Sequence, residues 1–224
     1  MSVAAEHAVR RYFDGEAERF DAIYDEDKSL SQKFVDSLFR SVIHRRVALM
    51  LEWCGDLTDK HVLDVGTGSG RYAVEMARRG AQVVGLDFAP AMVDMATEAA
   101  QKADVADRCH FEAADFLEWC APHHFDISVG LGFFDYTADS RPFLAKIAEV
   151  TDGQGIFSFP MRWRFRTPTR WMRLKLRGCP VYFYGEQEVR ELTGRTTGWG
   201  DIRLERLSRD FLVHVHSGGQ IQNG

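Results

Sequence analysis

The 224-residue chain has little that would fix it anywhere but in water. No window approaches the roughly 18 consecutive apolar residues that a membrane helix needs. The N-terminal stretch MSVAAEHAVRRYFDGEAERF lacks the apolar centre of a signal peptide, and its acids argue against a transit peptide. A cytoplasmic location is therefore expected. Cysteines are few, only Cys54, Cys109, Cys120 and Cys179, with no C-x-x-C pair, so reduced thiols are expected rather than disulfide staples. Cys120, His123 and His124 stand close together, but their spacing matches no common zinc pattern, and no metal is expected. Repeats and low-complexity linkers are missing as well; only the tail SGGQIQNG (217–224) reads as frayed.

What is present suits one soluble α/β domain. Apolar residues make up 45% of the chain and charged residues 27%, enough for a full core with a solvated surface. From Ala4 to about Trp53 the pattern is helical, with Phe34, Leu38, Val42, Val47, Met50 and Leu51 forming an apolar stripe. Short apolar strands then alternate with helices: HVLDV (61–65), QVVGLD (82–87), CHFEA (109–113), FDISVGL (125–131) and GIFSF (155–159). Such alternation predicts right-handed crossovers and a parallel sheet covered by helices on both faces. The last two strand-like runs, within DIRLERLSRDFLVHVH (201–216), are joined only by Ser208 and Arg209. That is too close for a parallel crossover, so they must form an antiparallel hairpin. The expected fold is a Rossmann-like three-layer α/β sandwich with a mostly parallel, seven-stranded sheet.

The informative segment is VLDVGTGSGRYA (62–73). Gly68-x-Gly70-x-x-Ala73 satisfies the dinucleotide fingerprint, so an NAD-dependent oxidoreductase stays open on that motif alone. The neighbours point elsewhere. Asp64, inside the end of the first strand, would repel a pyrophosphate but suits a cation. Asp87 ends the second strand, where a carboxylate can accept both ribose hydroxyls. Asp115 follows the third strand and can accept from an exocyclic amine, with Phe116 beside it. Each acid also has a plain reading: Asp64 as a turn cap, Asp87 as the N-cap of the helix after it. Taken together they describe a ligand with an amino group, a ribose, an adenine and positive charge but no phosphate. S-adenosylmethionine fits that description.

At these residues the sequence resembles the class I S-adenosylmethionine-dependent methyltransferases. VLDVGTGSG is similar to their first motif, VVGLDFAPAMVDMA to their ribose-binding stretch, FEAADF to their adenine contact and FDISVGLGFFDY to their fourth-strand motif. The resemblance runs from about residue 60 to 216 and includes the closing hairpin. It implies that the turn Gly66, Thr67, Gly68 and Gly70 holds the cofactor, with Asp64 near its methionine part. Asp87 and Phe88 would lie at the ribose, Asp115 and Phe116 at the adenine, and Gly130 and Leu131 at the sulfonium, whose product is S-adenosylhomocysteine. Residues 1–55, containing YFDGEAERFDAIY, are similar to a helical lid, so Tyr12 and Arg19 would close over the cofactor, and Arg71 would pair with its carboxylate.

The acceptor side is less legible. Asp135 and Tyr136, in GFFDY after the fourth strand, are the candidate bases. The turn Leu131-Gly132-Phe133-Phe134 lacks the N/D-P-P-aromatic tetrad of members that methylate adenine or amide nitrogen, which counts against nucleic-acid targets. The segment MRWRFRTPTRWMRLKLR (161–177) carries seven Arg/Lys and no acid, which leaves a net −12 on the rest of the chain. It lies within an expected acceptor-side insertion at about 160–185, and three readings of it stand. It is a solvated basic face, or a site where Arg170, Arg173 and Arg177 meet an anionic or amphiphilic acceptor, or a transient contact with an acidic membrane surface. Phe134, Tyr182, Tyr184 and His214 complete the candidate acceptor residues. The front-end YFD and FDAIY, the strand ending in SFP and the basic helix give a fainter resemblance to the magnesium-protoporphyrin O-methyltransferase branch. A small-molecule methyltransferase is the expectation; an oxidoreductase and a cofactor-binding protein without catalysis are the alternatives.

Overall fold

The computed structural model describes residues 44–162 and 181–217. The sheet contains β1 (His61–Val65), β2 (Gln82–Asp87), β3 (Cys109–Ala113), β4 (Phe125–Gly130), β5 (Thr151–Pro160), β6 (Ile202–Leu207) and β7 (Asp210–His216). Their order is β3-β2-β1-β4-β5-β7-β6, parallel from β3 through β5, with β7 antiparallel to both its neighbours. The expected hairpin is present, and its second strand, β7, pairs with β5 so that β6 takes the edge. Ser208 at its turn has φ 58.

Helices cover both faces. A helix over 44–54, α1, packs with α2 (Arg71–Ala77) and α3 (Pro90–Lys102) on one; α4 (Arg141–Glu149) and α5 (Glu186–Thr197) pack on the other. Strand alternation sorts the core. Val62, Val83, Ile127, Ile156 and Leu212 face α1–α3, whereas Leu63, Leu86, Phe157, Val213 and Val215 face α4 and α5. α1 belongs to this core, since Met50, Trp53 and Cys54 are buried with Leu57 against the sheet. Burial pushes the Cys54 thiol up to about 12, and the described cysteines are free.

Local sequence explains the element ends that matter for the site. Pro90 starts α3 as its first residue, where a missing N–H costs nothing. Met92, Ala96 and Ala100, four apart, are its buried stripe. Gly70 caps the start of α2, and its φ of 74 favours glycine. A Cβ there would also lie 2.8 Å from Ala96 Cβ and 2.9 Å from its Cα, so the turn and α3 touch backbone to backbone. Among the described residues no helix is long and apolar enough to cross a membrane.

Gly70→Ala combines a left-handed backbone with a clash against main chain. We expect it to cost about 2–4 kcal/mol in urea unfolding, well above the 1 kcal/mol scale of an ordinary glycine replacement.

Candidate active site

The strand order reverses between β1 and β4, and in open α/β sheets the crevice at such a point, outside the carboxyl ends of the strands, is the ligand site. β1 runs into a turn in which Gly66, Gly68 and Gly70 all have positive φ. The Gly66 and Thr67 amides donate to the Leu86 carbonyl at 2.8 and 2.9 Å, which ties the turn to the end of β2. A Cβ on Gly66 would stand 2.6 Å from Phe133 Cδ2, whereas one on Gly68 would meet nothing within 4 Å. Gly66 therefore seals the turn against the β4 loop, and Gly68 faces open space.

Two acids are fixed around this turn. Asp64 is almost fully buried; its Oδ2 accepts from the Thr67 hydroxyl at 2.9 Å, while Oδ1 has no hydrogen-bond partner. Burial raises its carboxyl to about 7, with the Asp87 charge adding to the rise and the Thr67 hydroxyl and the nearby Ala73 amide opposing it. Asp87 accepts from the Gly68 amide at 2.9 Å and from the Ala89 amide at 3.0 Å. It thus ties the glycine turn to the start of α3, whose N-cap is Ala89 and not Asp87 as the capping reading had it, because Asp87 lies within β2 and reaches the Ala89 amide. Phe88 beside it is half-buried.

Asp115 is exposed just beyond β3 and accepts from the Leu117 amide at 2.9 Å. Three carboxylates thus stand at or just past the carboxyl ends of three adjacent strands, Asp64 and Asp87 within β1 and β2 and Asp115 beyond β3. Phe116 does not join them at the surface. It is buried, its ring stacked with those of Phe143 and Trp119, and the Lys146 ammonium lies 5.4 Å from its centroid. Arg71 opens α2 half-buried, and burial pulls its guanidinium below the usual value with Tyr72 opposing.

On the other side of the crevice, Gly130 and Leu131 are buried at the end of β4. The Gly132 amide donates to Ser158 Oγ at 2.7 Å, and the Asp135 carbonyl accepts from the Tyr182 amide at 2.9 Å. Asp135, buried, and Tyr182, half-buried, are therefore neighbours; Tyr136 is half-buried beside them.

Three acceptor residues expected from sequence are corrected. Phe134 has no exposed surface and stacks on Phe159 at 4.7 Å, because the β4 loop turns it into the aromatic core. Tyr184 is buried too. Its hydroxyl lies 2.8 Å from Ser140 Oγ and 3.2 Å from the carbonyls of Phe134 and Thr137, which braces the loop, and burial pushes it up to about 12. His214 lies four residues along β7 from the crevice edge, about 13 Å away. It stacks on Trp53 and meets Gln154 Oε1 at 2.6 Å; burial lowers it to about 4, with His216 and Arg203 adding. Tyr12, Arg19, Arg170, Arg173 and Arg177 lie outside the described residues, as do most of the basic segment and of the tail.

The sequence reading missed Arg46. It sits on α1 four residues before Met50, half-buried, and reaches Asp210 at the carboxyl edge of the sheet. Its Nη2 is ion-paired with Asp210 Oδ2, its Nη1 lies 3.5 Å from the Tyr72 hydroxyl, and its Nε is buried with no partner. Burial works against its charge, but Tyr72, Asp210 and Asp135 outweigh that and hold it cationic. A cation at helical spacing on an apolar face, with Met50, Trp53 and Leu57 continuing the stripe, was the legible signal.

With this geometry in view, comparisons identify the class. A methyltransferase-domain family model matches residues 62–155. The magnesium-protoporphyrin O-methyltransferase of Rhodobacter capsulatus is 26% identical over 173 residues, 75% of each chain. A ubiquinone biosynthesis O-methyltransferase of Neisseria meningitidis is 30% identical over 152 residues, 65% of this chain and 61% of that one. Among solved structures, the magnesium protoporphyrin IX methyltransferase of Synechocystis PCC 6803 with bound SAH superposes with a TM-score of 0.76 at 21% identity, covering 95% of this chain and all of the other. A geranyl diphosphate C-methyltransferase from Streptomyces coelicolor gives 0.74 at 14% identity over 96% of this chain, so the fold by itself does not fix the atom methylated.

Residues 62–155 match a methyltransferase domain, and these findings support a class I S-adenosylmethionine-dependent methyltransferase with S-adenosylmethionine as the methyl donor. Its relatives include O-methyltransferases named for magnesium protoporphyrin and for ubiquinone biosynthesis, and also a tRNA 5-carboxymethoxyuridine methyltransferase of Escherichia coli, 33% identical over 101 residues. The oxidoreductase alternative is not supported: the glycine spacing it rested on belongs here to a methyltransferase domain, on a sheet that closes with an antiparallel β7.

Asp64 makes a prediction about stability. Its folded pKa of about 7 exceeds the ordinary 3.8, so between those values the folded state binds the extra proton. Stability must therefore fall as pH rises from about 4 through 7. In urea unfolding of the ligand-free protein at pH 5 and pH 8, Asp64→Asn should lose less stability over that interval than the parent.

Proposed function

We propose that the chain transfers a methyl group from S-adenosylmethionine to an oxygen of an amphiphilic small molecule with an acidic oxygen, of the tetrapyrrole kind. One observation carries the cofactor half: a buried carboxylate, Asp64, with one oxygen unsatisfied by protein, beside the open space over Gly68. An orphaned buried acceptor of this kind is costly unless a ligand donor meets it, and the methionine end of the donor supplies a cationic one. Asp87 would accept the ribose hydroxyls and Asp115 the adenine amine, while Thr67, Gly68 and Gly70 let the main chain approach closely. Gly130 and Leu131 would line the side from which the methyl leaves. The donor supplies an activated methyl on a positively charged sulfur.

The protein's own part is alignment and exclusion of water. Holding donor and acceptor in line at near-attack distance contributes on the order of 7–11 kcal/mol. Asp135 and Tyr136 stand where an acceptor hydroxyl would arrive, and Asp135 is the group to take its proton; a carboxylate acceptor needs no base. The acceptor reading is supported by the relatives named for magnesium protoporphyrin in both sequence and fold. The basic segment and an acidic acceptor are complementary in charge, which favours that reading of 161–177.

Calorimetric titration should show binding of S-adenosylhomocysteine, weakened tenfold or more (about 1.4 kcal/mol) by Asp64→Asn or Asp87→Ala. Incubation with S-adenosylmethionine and magnesium protoporphyrin should yield a methyl ester detectable by mass spectrometry. Absence of product with the cofactor bound would overturn the acceptor reading; absence of cofactor binding would overturn the site.

A further inference from the structure

Arg46 is not accounted for by the cofactor site. Three elements converge on its guanidinium: α2 through Tyr72, β7 through Asp210, and the β4 loop through Gly132, on which a Cβ would stand 3.9 Å from Nη1. Asp210 pairs with Pro160, the last residue of β5, so the charge lies at the carboxyl edge of the sheet. α1 runs beside β7, with Arg46 at Asp210 and, seven residues on, Trp53 at His214. The two spans agree, about 10 Å along the helix and about 13 Å along the strand. The helix is thereby pinned at both ends, and Arg46 is held on the acceptor side of the glycine turn.

An arginine carries five N–H donors and no acceptor. Here Nη2 serves Asp210, Nη1 is at the limit of reach of Tyr72, and the buried Nε has no partner. Replacing both members of a buried ion pair by apolar side chains is often neutral or stabilising, so an ion pair of this kind is weak evidence for stability alone. The charge is better explained by a partner that arrives with the acceptor.

We infer that Arg46 is the counter-ion of the acceptor's reacting oxygen, recognising small molecules that present a carboxylate or an ionised phenol at the mouth of the crevice. This rests on the oxygen-acceptor reading above. In the transfer, the acceptor enters as an oxyanion and an oxygen lone pair forms the new O–CH3 bond. The S–CH3 bond breaks with its electron pair going to sulfur, which becomes a neutral thioether. The oxygen loses its charge, no proton moves in the step, and Arg46 keeps Asp210 as its partner when the neutral product leaves.

The test uses 4-nitrophenol, whose phenolate absorbs visible light, with the S-adenosylhomocysteine complex of the full chain. Bound dye should ionise at a pH lower than free dye by about one unit or more, a tenfold bias toward the anion. Arg46→Gln combined with Asp210→Asn removes the cation without leaving a lone buried charge, and should abolish the bias. Arg46→Lys should keep part of it. S-adenosylhomocysteine affinity, measured alongside by calorimetry, should change less than twofold in these variants. Dye that does not bind, that binds with unaltered ionisation, or that is equally biased in the double variant overturns the inference. Loss of S-adenosylhomocysteine binding in the parent chain would instead sink the methyltransferase site itself.

Discussion

One desolvated carboxylate organises the crevice. Asp64 is carried into the interior by β1, where its charge is costly, and the Thr67 hydroxyl with the nearby Ala73 amide offsets part of that cost. The remaining oxygen has no hydrogen-bond partner in the protein. Everything nearby serves to keep that oxygen in place: positive-φ glycines reverse the chain within five residues, the Leu86 carbonyl ties the turn to β2, and Asp87 binds both the turn and α3. A phosphate brought into such a setting would meet negative charge in a low-dielectric wall, whereas a cationic nucleoside relieves it.

The second half of the site is built by the part of the sheet that departs from a dinucleotide-binding arrangement. Because β7 runs antiparallel between β5 and β6, its first residue, Asp210, and not its last, reaches the carboxyl edge. That inversion brings a carboxylate to the acceptor side and lets α1 lie along β7 with Arg46 above it. Beneath, the aromatic layer of Phe134, Phe157, Phe159 and Tyr184 sets the floor on which the β4 loop rests. The β1–β2 side of the crevice is thus lined by acids, and the side formed by the β4 loop and β7 carries a fixed cation near Asp135.

The sheet and its hairpin were legible because each depends on local pattern: alternation in the strands and a two-residue joint at Ser208 and Arg209. Asp64 and Asp87 were legible because a motif fixes them relative to strand ends. Phe134, Tyr184 and His214 misled for a common reason. Their sequence positions place them near the crevice, but which way a side chain turns is decided by packing, and large rings are drawn into the core unless a ligand holds them. Phe116 was lost to the core in the same way. Arg46 and Asp210 are 164 residues apart and share no motif, so their meeting follows only from the inverted β7 and the helix beside it.

The account stands or falls on the charge state of Asp64 when the cofactor arrives. Calorimetry of S-adenosylhomocysteine binding in buffers of different ionisation enthalpy reads the protons exchanged. If a cationic group meets the carboxylate, binding must release protons, with a release that grows as pH falls from 8 toward 6 and disappears in Asp64→Asn. Proton uptake, or exchange unaffected by that substitution, would contradict it.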